Sequence, residues 1–200
     1  AVLLRDLVSA VVRVSNTAGT YGCYLKTWKQ RALNPIKLEP EAPPLELFPA
    51  KQRNHRVLCE DVNDAAAQIS GQVDAVYLDP PYTKRQYAAY YHLLETLVTG
   101  DEPSVEGSTG LPRWQDRQSD FCYSRRAPAA LERLVSSLEI DHLFLSYSND
   151  GHIKHEDIVD ILSTKGRTRW WEKDSQRFRS SALEHRSAKV QERLYHVEVG

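Results

Sequence analysis

A short apolar run that stops abruptly places the strongest constraint on the fold. Residues Val73 to Leu78 are nearly all apolar, as in strands that are buried in a parallel sheet. Asp79-Pro80-Pro81-Tyr82 follows at once, and proline cannot donate a hydrogen bond to a sheet ladder. The strand must therefore end near Leu78. The next four residues lie outside its carboxyl end, where open α/β sheets bind their ligands.

Strand and helix patterns alternate around this run, which predicts an α/β fold. We expect a mostly parallel sheet with helices on both faces and an antiparallel pair of strands at the carboxyl end. Asp64 is expected to cap the second helix and Gly71 to end it. The predicted elements are helices at about 3–12, 65–70, 87–98, 128–139 and 155–162, and strands at 56–61, 73–78, 142–147, 167–171 and 190–199.

Prolines divide the chain into two predicted regions. Residues 1–54 contain an amphipathic helix with apolar residues at 3, 4, 7, 8, 11 and 12, a basic and aromatic segment, and a proline-rich connector from about 34. Residues 55–200 form the predicted catalytic domain, with a loop insertion at about 99–126. A loop of that length is suspected of a function.

Composition excludes several classes of protein. The 26 Lys and Arg against 27 Asp and Glu give a net charge of −1, so bulk charge neither favours nor excludes a nucleic-acid partner. No apolar run approaches the ~20 residues that a membrane span requires, so no membrane partner is expected. Three separated cysteines, Cys23, Cys59 and Cys122, form neither a disulfide framework nor a zinc pattern and suit a reducing cytoplasm. His152 and His155 lie one turn apart without a suitable third ligand, so we expect a helix start and no metal site.

The residues after the apolar run suit the recognition of an amino group on a planar ring. The Asp79 carboxylate and the Pro80 carbonyl are acceptors for the two amine hydrogens, and Pro81 helps to hold that carbonyl in a fixed direction. Tyr82 is suited to stack on the ring. This arrangement predicts catalysis by positioning and by electrostatic activation of a weak nucleophile.

The segment resembles the alpha-class N6-adenine DNA methyltransferases, the family of DNA adenine methylase. The resemblance extends over about residues 55 to 198 and includes Leu58–Asp61, Tyr87–Thr96, Leu143–Asn149 and Arg177–Ser180. It implies a Rossmann-like fold, S-adenosylmethionine as methyl donor, and direct methyl transfer to an adenine flipped out of the duplex. It also implies that Asp61 lies near the adenine of the cofactor.

The family's glycine-rich turn for the methionine part of the cofactor is not found. Gly19-Thr20-Tyr21-Gly22 is the nearest glycine pair, but no apolar strand precedes it, and methionine is absent even at position 1. We therefore expect the chain to lack the first strand or strands of the fold. Two alternatives stay open: an N-methyltransferase that acts on RNA or a protein amide, and a non-catalytic DNA-binding remnant or subunit.

Charge is unevenly spread along the chain, which predicts a DNA-facing surface beside an acidic pocket. The segment from Lys165 to Arg193 contains nine basic and four acidic residues. The predicted DNA-binding residues are Lys84, Arg85, Tyr147, Asn149, Arg177 and Arg179. The further partners expected are a restriction endonuclease or a second subunit.

Overall fold

The computed structural model describes residues 2–40, 56–176 and 189–200. By its contacts the chain divides into two compact units. Unit 1 comprises Ala1–Val57 and Tyr87–Arg117, and unit 2 comprises Leu58–Gln86 and Gln118–Gly200. Residues 87–117 thus group with the amino-terminal region, whereas the sequence suggested a loop insertion at 99–126 in the second region.

The helices and strands of the described residues follow in chain order. The α-helices are α1 (Val2–Val14), α2 (Val62–Ile69), α3 (Tyr87–Tyr90), α4 (His92–Thr99), α5 (Ala127–Ser137) and α6 (His155–Ser163). The strands are β1 (Ala75–Leu78), β2 (Val105–Glu106), β3 (Leu111–Pro112), β4 (His142–Ser148), β5 (Arg167–Gln176) and β6 (Lys189–Glu198). None of the helices in these ranges is long and apolar enough to cross a membrane.

Unit 2 is built on a four-stranded sheet in the order β1-β4-β6-β5. The β1 and β4 strands are parallel, with Leu78 opposite Leu145, whereas β6 is antiparallel to both β4 and β5. The mixed α/β architecture and the antiparallel final pair are confirmed. Because the described strands make one parallel and two antiparallel pairings, this sheet is mixed and not mostly parallel.

One face of that sheet forms the core of unit 2. Alternate residues of the strands, among them Leu143, Leu145 and Val197, belong to one buried cluster with residues of α2, α5 and α6. The opposite face carries Tyr77 and Trp171, which are 61% and 54% exposed. In the described residues the helices of this cluster thus pack on one face, which corrects the prediction of helices on both faces.

The predicted strand at 56–61 is wrong, since the structure places no strand there. The Asp61 side chain accepts a hydrogen bond from the backbone N–H of Asn63 at 2.9 Å and so caps α2. Asp61, and not Asp64, is therefore the cap, and the helix begins at Val62. Because Asp61 stabilises the start of α2, the backbone at this position adopts the cap conformation and does not extend a strand.

Unit 1 departs from its sequence pattern in α1. The helix forms as predicted, but its buried residues are Asp6 and Ala10, whereas Leu3 is 78% exposed. Asp6 is paired with Arg5 at 2.7 Å, and this pairing satisfies the buried carboxylate. The predicted helix at 87–98 is also divided into α3 and α4, because Tyr91 leaves the helical conformation.

Candidate functional site

The Asp-Pro-Pro-Tyr segment lies directly beyond the carboxyl end of β1, as the sequence predicts. Asp79 is exposed, whereas Pro80, Pro81 and Tyr82 are partly buried. The Tyr82 ring packs against the core and meets the ring of Tyr147 edge-on, with 5.9 Å between centroids. Because β1 and β4 are parallel and in register at Leu78 and Leu145, their carboxyl ends meet at the same edge of the sheet.

Tyr147 supports this segment from within the core. Its side chain is 2% exposed, and its hydroxyl accepts a hydrogen bond from the Ile153 backbone N–H at 3.2 Å. Burial raises the pKa of the Tyr147 phenol. The prediction that Tyr147 contacts DNA is wrong for this structure, because a fully buried ring offers no surface to a ligand; its contact is with Tyr82.

Asn149 lies in the turn that follows β4. Its backbone N–H donates to the Gln191 carbonyl, and its side-chain Oδ1 accepts from the Gln191 N–H, both at 3.0 Å. The residue is exposed, so these bonds to β6 hold it at the surface near the carboxyl end of β4. The position is compatible with a DNA contact, which stays a prediction.

Gly151 brings the same turn close to the Tyr147 ring. A Cβ atom at residue 151 would lie 2.3 Å from Cε1 of Tyr147, closer than any side chain can approach. Glycine therefore lets the turn lie against the ring. This close approach accompanies a hydrogen bond from the His152 backbone N–H to the Tyr82 carbonyl at 2.9 Å.

Of the other predicted site residues, three are exposed at the surface and two lie outside the described residues. Lys84 and Arg85 follow the motif and are exposed, as a phosphate contact requires. Asp61 is exposed at the start of α2, where its Oδ1 atom accepts from both the backbone and the side chain of Asn63. Arg177 and Arg179 lie outside the described residues.

Three residues near the motif were not among the predicted site residues. Gln86 is 6% exposed, and its side-chain amide makes two hydrogen bonds to the backbone of Ser119. The Cys122 thiol donates to the Arg85 carbonyl at 3.3 Å, and the His152 ring contacts the Cys122 carbonyl at 3.2 Å. The nearest signal in the sequence was His152, which the spacing to His155 associated only with a helix start.

Metal-binding side chains do not gather at this edge. Among residues 2–40, 56–176 and 189–200, no group of three or more His, Cys, Asp or Glu side chains is placed to hold a metal ion. The described site therefore offers three groups: the exposed Asp79 carboxylate, the Pro80 carbonyl, which precedes a second proline, and the aromatic ring of Tyr82.

Residues 1–161 match the D12 class N6 adenine-specific DNA methyltransferases. The chain belongs to this family. The match includes β1, the Asp-Pro-Pro-Tyr segment and β4, so it confirms the resemblance on which the site residues were chosen.

Several curated proteins are similar to this chain over most of its length. The modification methylase StsI of Streptococcus sanguinis is 37% identical over 160 residues, which are 80% of this chain and 23% of that protein. The type II methyltransferase M.FokI of Planomicrobium okeanokoites is 37% identical over 166 residues, 83% of this chain and 25% of that protein. M.NlaIII of Neisseria lactamica, also a type II methyltransferase, is 32% identical over 197 residues, 98% of this chain and 56% of that protein.

This D12-family chain thus spans between about a quarter and about half of the length of these curated relatives. No solved structure matches it significantly. The family is consequently established by sequence, and the placement of its site residues by the present structure alone.

Proposed function

We propose that the protein methylates the N6 amino group of adenine in DNA, with S-adenosylmethionine as the methyl donor. The observation that carries the proposal is the exposed Asp79 carboxylate directly after β1, followed by two prolines and a tyrosine that rests on the core. The D12 family membership and the names of the relatives, which are modification methylases and type II methyltransferases, support it.

Each residue of the motif has a separate role in binding the adenine and its amino group. Asp79 accepts one N6–H hydrogen bond, and the Pro80 carbonyl accepts the other, so the nitrogen lone pair is oriented and gains electron density. Tyr82 stacks on the adenine ring, which must leave the duplex because its amino group is not accessible inside the stack. We assign Asp79 as the acceptor of the proton that N6 loses.

Asp61, at the start of α2, is the residue that we assign to the methyl donor. S-adenosylmethionine, when bound, supplies the methyl group and brings amino and hydroxyl donors that require acceptors. Both hydrogen bonds to Asp61 use its Oδ1 atom, so Oδ2 is the atom we assign to the cofactor. No covalent enzyme intermediate is needed, and none of the cysteines has a role in the transfer.

We infer that the described sheet belongs to a Rossmann-like fold, since β1 and β4 are parallel and β6 is antiparallel to β4. DNA would be held by Lys84, Arg85 and Asn149, and beyond the described residues by Arg177 and Arg179. A restriction endonuclease or second subunit as partner, and a cytoplasmic location, belong to the same proposal.

The test is transfer of a labelled methyl group from S-adenosylmethionine to adenine in duplex DNA, with separate RNA and protein pools. Asp79→Ala should lower transfer about a hundredfold or more while DNA affinity changes little, because the acceptor acts mainly in the transition state. Asp74→Ala makes the same exchange immediately before β1 and should leave transfer unchanged. An active Asp79→Ala protein, or label in RNA or protein only, contradicts the proposal.

A further inference from the structure

The loop that carries the motif is fastened to two other segments of unit 2. Residues 79–86 leave the sheet after β1, and the two prolines have no N–H with which to extend the ladder. The contacts that fasten the loop come from residues 119–122, which precede α5, and from residues 151–153, which precede α6.

Gln86 makes the contact at the end of the loop. Its Nε2 donates to the Ser119 carbonyl at 3.1 Å, and its Oε1 accepts from the Ser119 N–H at 2.8 Å. One side-chain amide thus pairs with both polar groups of a residue 33 positions away, as a neighbouring strand would. Because the amide is 6% exposed, water cannot readily replace either bond.

Cys122 makes a second contact beside the first. Its thiol donates to the carbonyl of Arg85, the residue before Gln86, at 3.3 Å. Residues 85 and 86 are therefore both attached to the same short 3-10 helical stretch, Asp120–Cys122, and its preceding residue.

His152 connects the remaining segment to both of these. Its backbone N–H donates to the Tyr82 carbonyl, and its ring Nε2 donates to the Cys122 carbonyl at 3.2 Å. A carbonyl only accepts, so Nε2 must carry a proton. The loop, the stretch before α5 and the turn before α6 are consequently joined in a closed ring of hydrogen bonds that includes the Tyr82 carbonyl.

We propose that Gln86 and His152 are positioning residues for the methyl transfer proposed above. His152 acts on the Tyr82 backbone directly, whereas Gln86 fixes the end of the same loop through Ser119. Through the stiff Pro81, both reach the Pro80 carbonyl. An error of about 1 Å in the placement of a reacting group costs about a hundredfold in rate. The ring of hydrogen bonds fixes the position of the Tyr82 side chain relative to the Pro80 carbonyl, while Asp79 remains exposed.

The test compares Gln86→Leu and His152→Leu with a matched exchange at His155. The His155 Nδ1 contacts the Tyr195 hydroxyl at 2.9 Å, on the sheet and away from the loop, so His155→Leu reports the cost of losing a histidine contact near the same helix start. Single-turnover methylation of DNA gives the rate of transfer. The fluorescence of 2-aminopurine at the target position reports stacking of the flipped base.

We expect Gln86→Leu and His152→Leu each to lower the single-turnover rate ten- to a hundredfold, with KM for DNA within threefold and altered 2-aminopurine fluorescence. The double variant should be no slower than the slower single one, because the two residues act through one ring. Gln86→Glu retains the acceptor for the Ser119 N–H and should recover part of the rate. It also serves if Gln86→Leu does not fold. Unchanged rates, or equal losses in His155→Leu, overturn the proposal.

Amide hydrogen exchange separates this inference from the proposed function. In Gln86→Leu, exchange at His152 and residues 83–86 should rise about tenfold, while β4 amides keep their protection. If the wild-type protein transfers no methyl group to adenine but this exchange pattern appears, the proposed function fails and the positioning of the loop stands. If exchange in the loop is unchanged, the positioning is refuted whatever the activity.

Discussion

Unit 2 buries large apolar side chains completely, whereas the amino-terminal part of unit 1 is fastened by cations. Leu131, Leu145 and Leu162 in unit 2 have no measurable exposure. In unit 1, Lys29 and Arg31 donate to the Thr17 carbonyl at 2.7 and 3.1 Å, just beyond the carboxyl end of α1.

Unit 1 also leaves apolar groups in contact with solvent. Trp28 is 71% and Leu33 is 64% exposed, although both lie in the segment that the cations hold in place. The Asn16 side chain fixes this segment, since it accepts from the Lys29 N–H and donates to the Thr27 carbonyl. A polar scaffold can thus order a segment without burying its aromatic residues.

The two units therefore differ in which interactions stabilise them: buried apolar side chains in unit 2 and hydrogen bonds from cations in the amino-terminal part of unit 1. Complete burial of a leucine contributes roughly 1.5–3 kcal/mol, whereas a single hydrogen bond contributes about 1 kcal/mol net. We therefore expect unit 2 to be sensitive to loss of apolar volume and unit 1 to respond to loss of individual polar contacts.

The largest expected effect is that of Leu145→Ala. The cavity it leaves between β4 and the helices should lower the free energy of unfolding by about 3 kcal/mol. Leu33→Ala in unit 1 removes the same atoms from an exposed position and should change it by less than about 0.5 kcal/mol. Urea unfolding monitored by circular dichroism measures both. Similar losses in the two variants would break the comparison.

A smaller effect is expected for Arg31→Ala. The guanidinium donates to the Ser15 carbonyl and to both oxygens of Thr17, and their loss at an exposed site should cost about 1 kcal/mol. Amide exchange at the carboxyl end of α1 should quicken while β4 is unaffected. Lys26→Ala, an exposed cation of the same segment, is the control. Faster exchange in β4 as well would show that the contact serves more than unit 1.

The smallest effect concerns alkaline pH and is expected in unit 2. Burial raises the pKa of the Cys122 thiol, so the folded protein keeps the proton that the unfolded chain releases above about pH 8.5. The unfolded state then binds fewer protons, and stability is lost as pH rises through the folded pKa. The melting temperature should fall less steeply above pH 8.5 in Cys122→Ala than in the wild type. Parallel curves, with Cys23→Ala as the exposed control, would contradict this.

Elements set by local rules were predictable from the sequence. Pro128 begins α5 within its first turn, and the turn at Asn149–Gly151 separates β4 from α6 as expected. The strand before Asp-Pro-Pro-Tyr was predictable because the end of the apolar run and the prolines act on the backbone directly. In the site, this was enough to predict that Asp79 and Tyr82 lie beyond the carboxyl end of β1.

Patterns that depend on a partner misled the prediction. The apolar residues of α1 indicated a buried face, yet the structure buries Asp6 and Ala10. Tyr147 was assigned to DNA because it ends a strand beside the site, but strand alternation turns its ring into the core. A period in the sequence shows which residues share a face and does not show what that face contacts.

The sequence by itself determined the succession of α5, β4 and α6, the end of β1 and the chemistry of the four residues that follow it, because those depend on neighbours along the chain. Only the tertiary structure decided what holds these residues in place. Gln86 and Ser119 are 33 positions apart, and Cys122 and His152 are 30 apart. Such bonds form when the folded core brings distant segments together, and no local propensity encodes them.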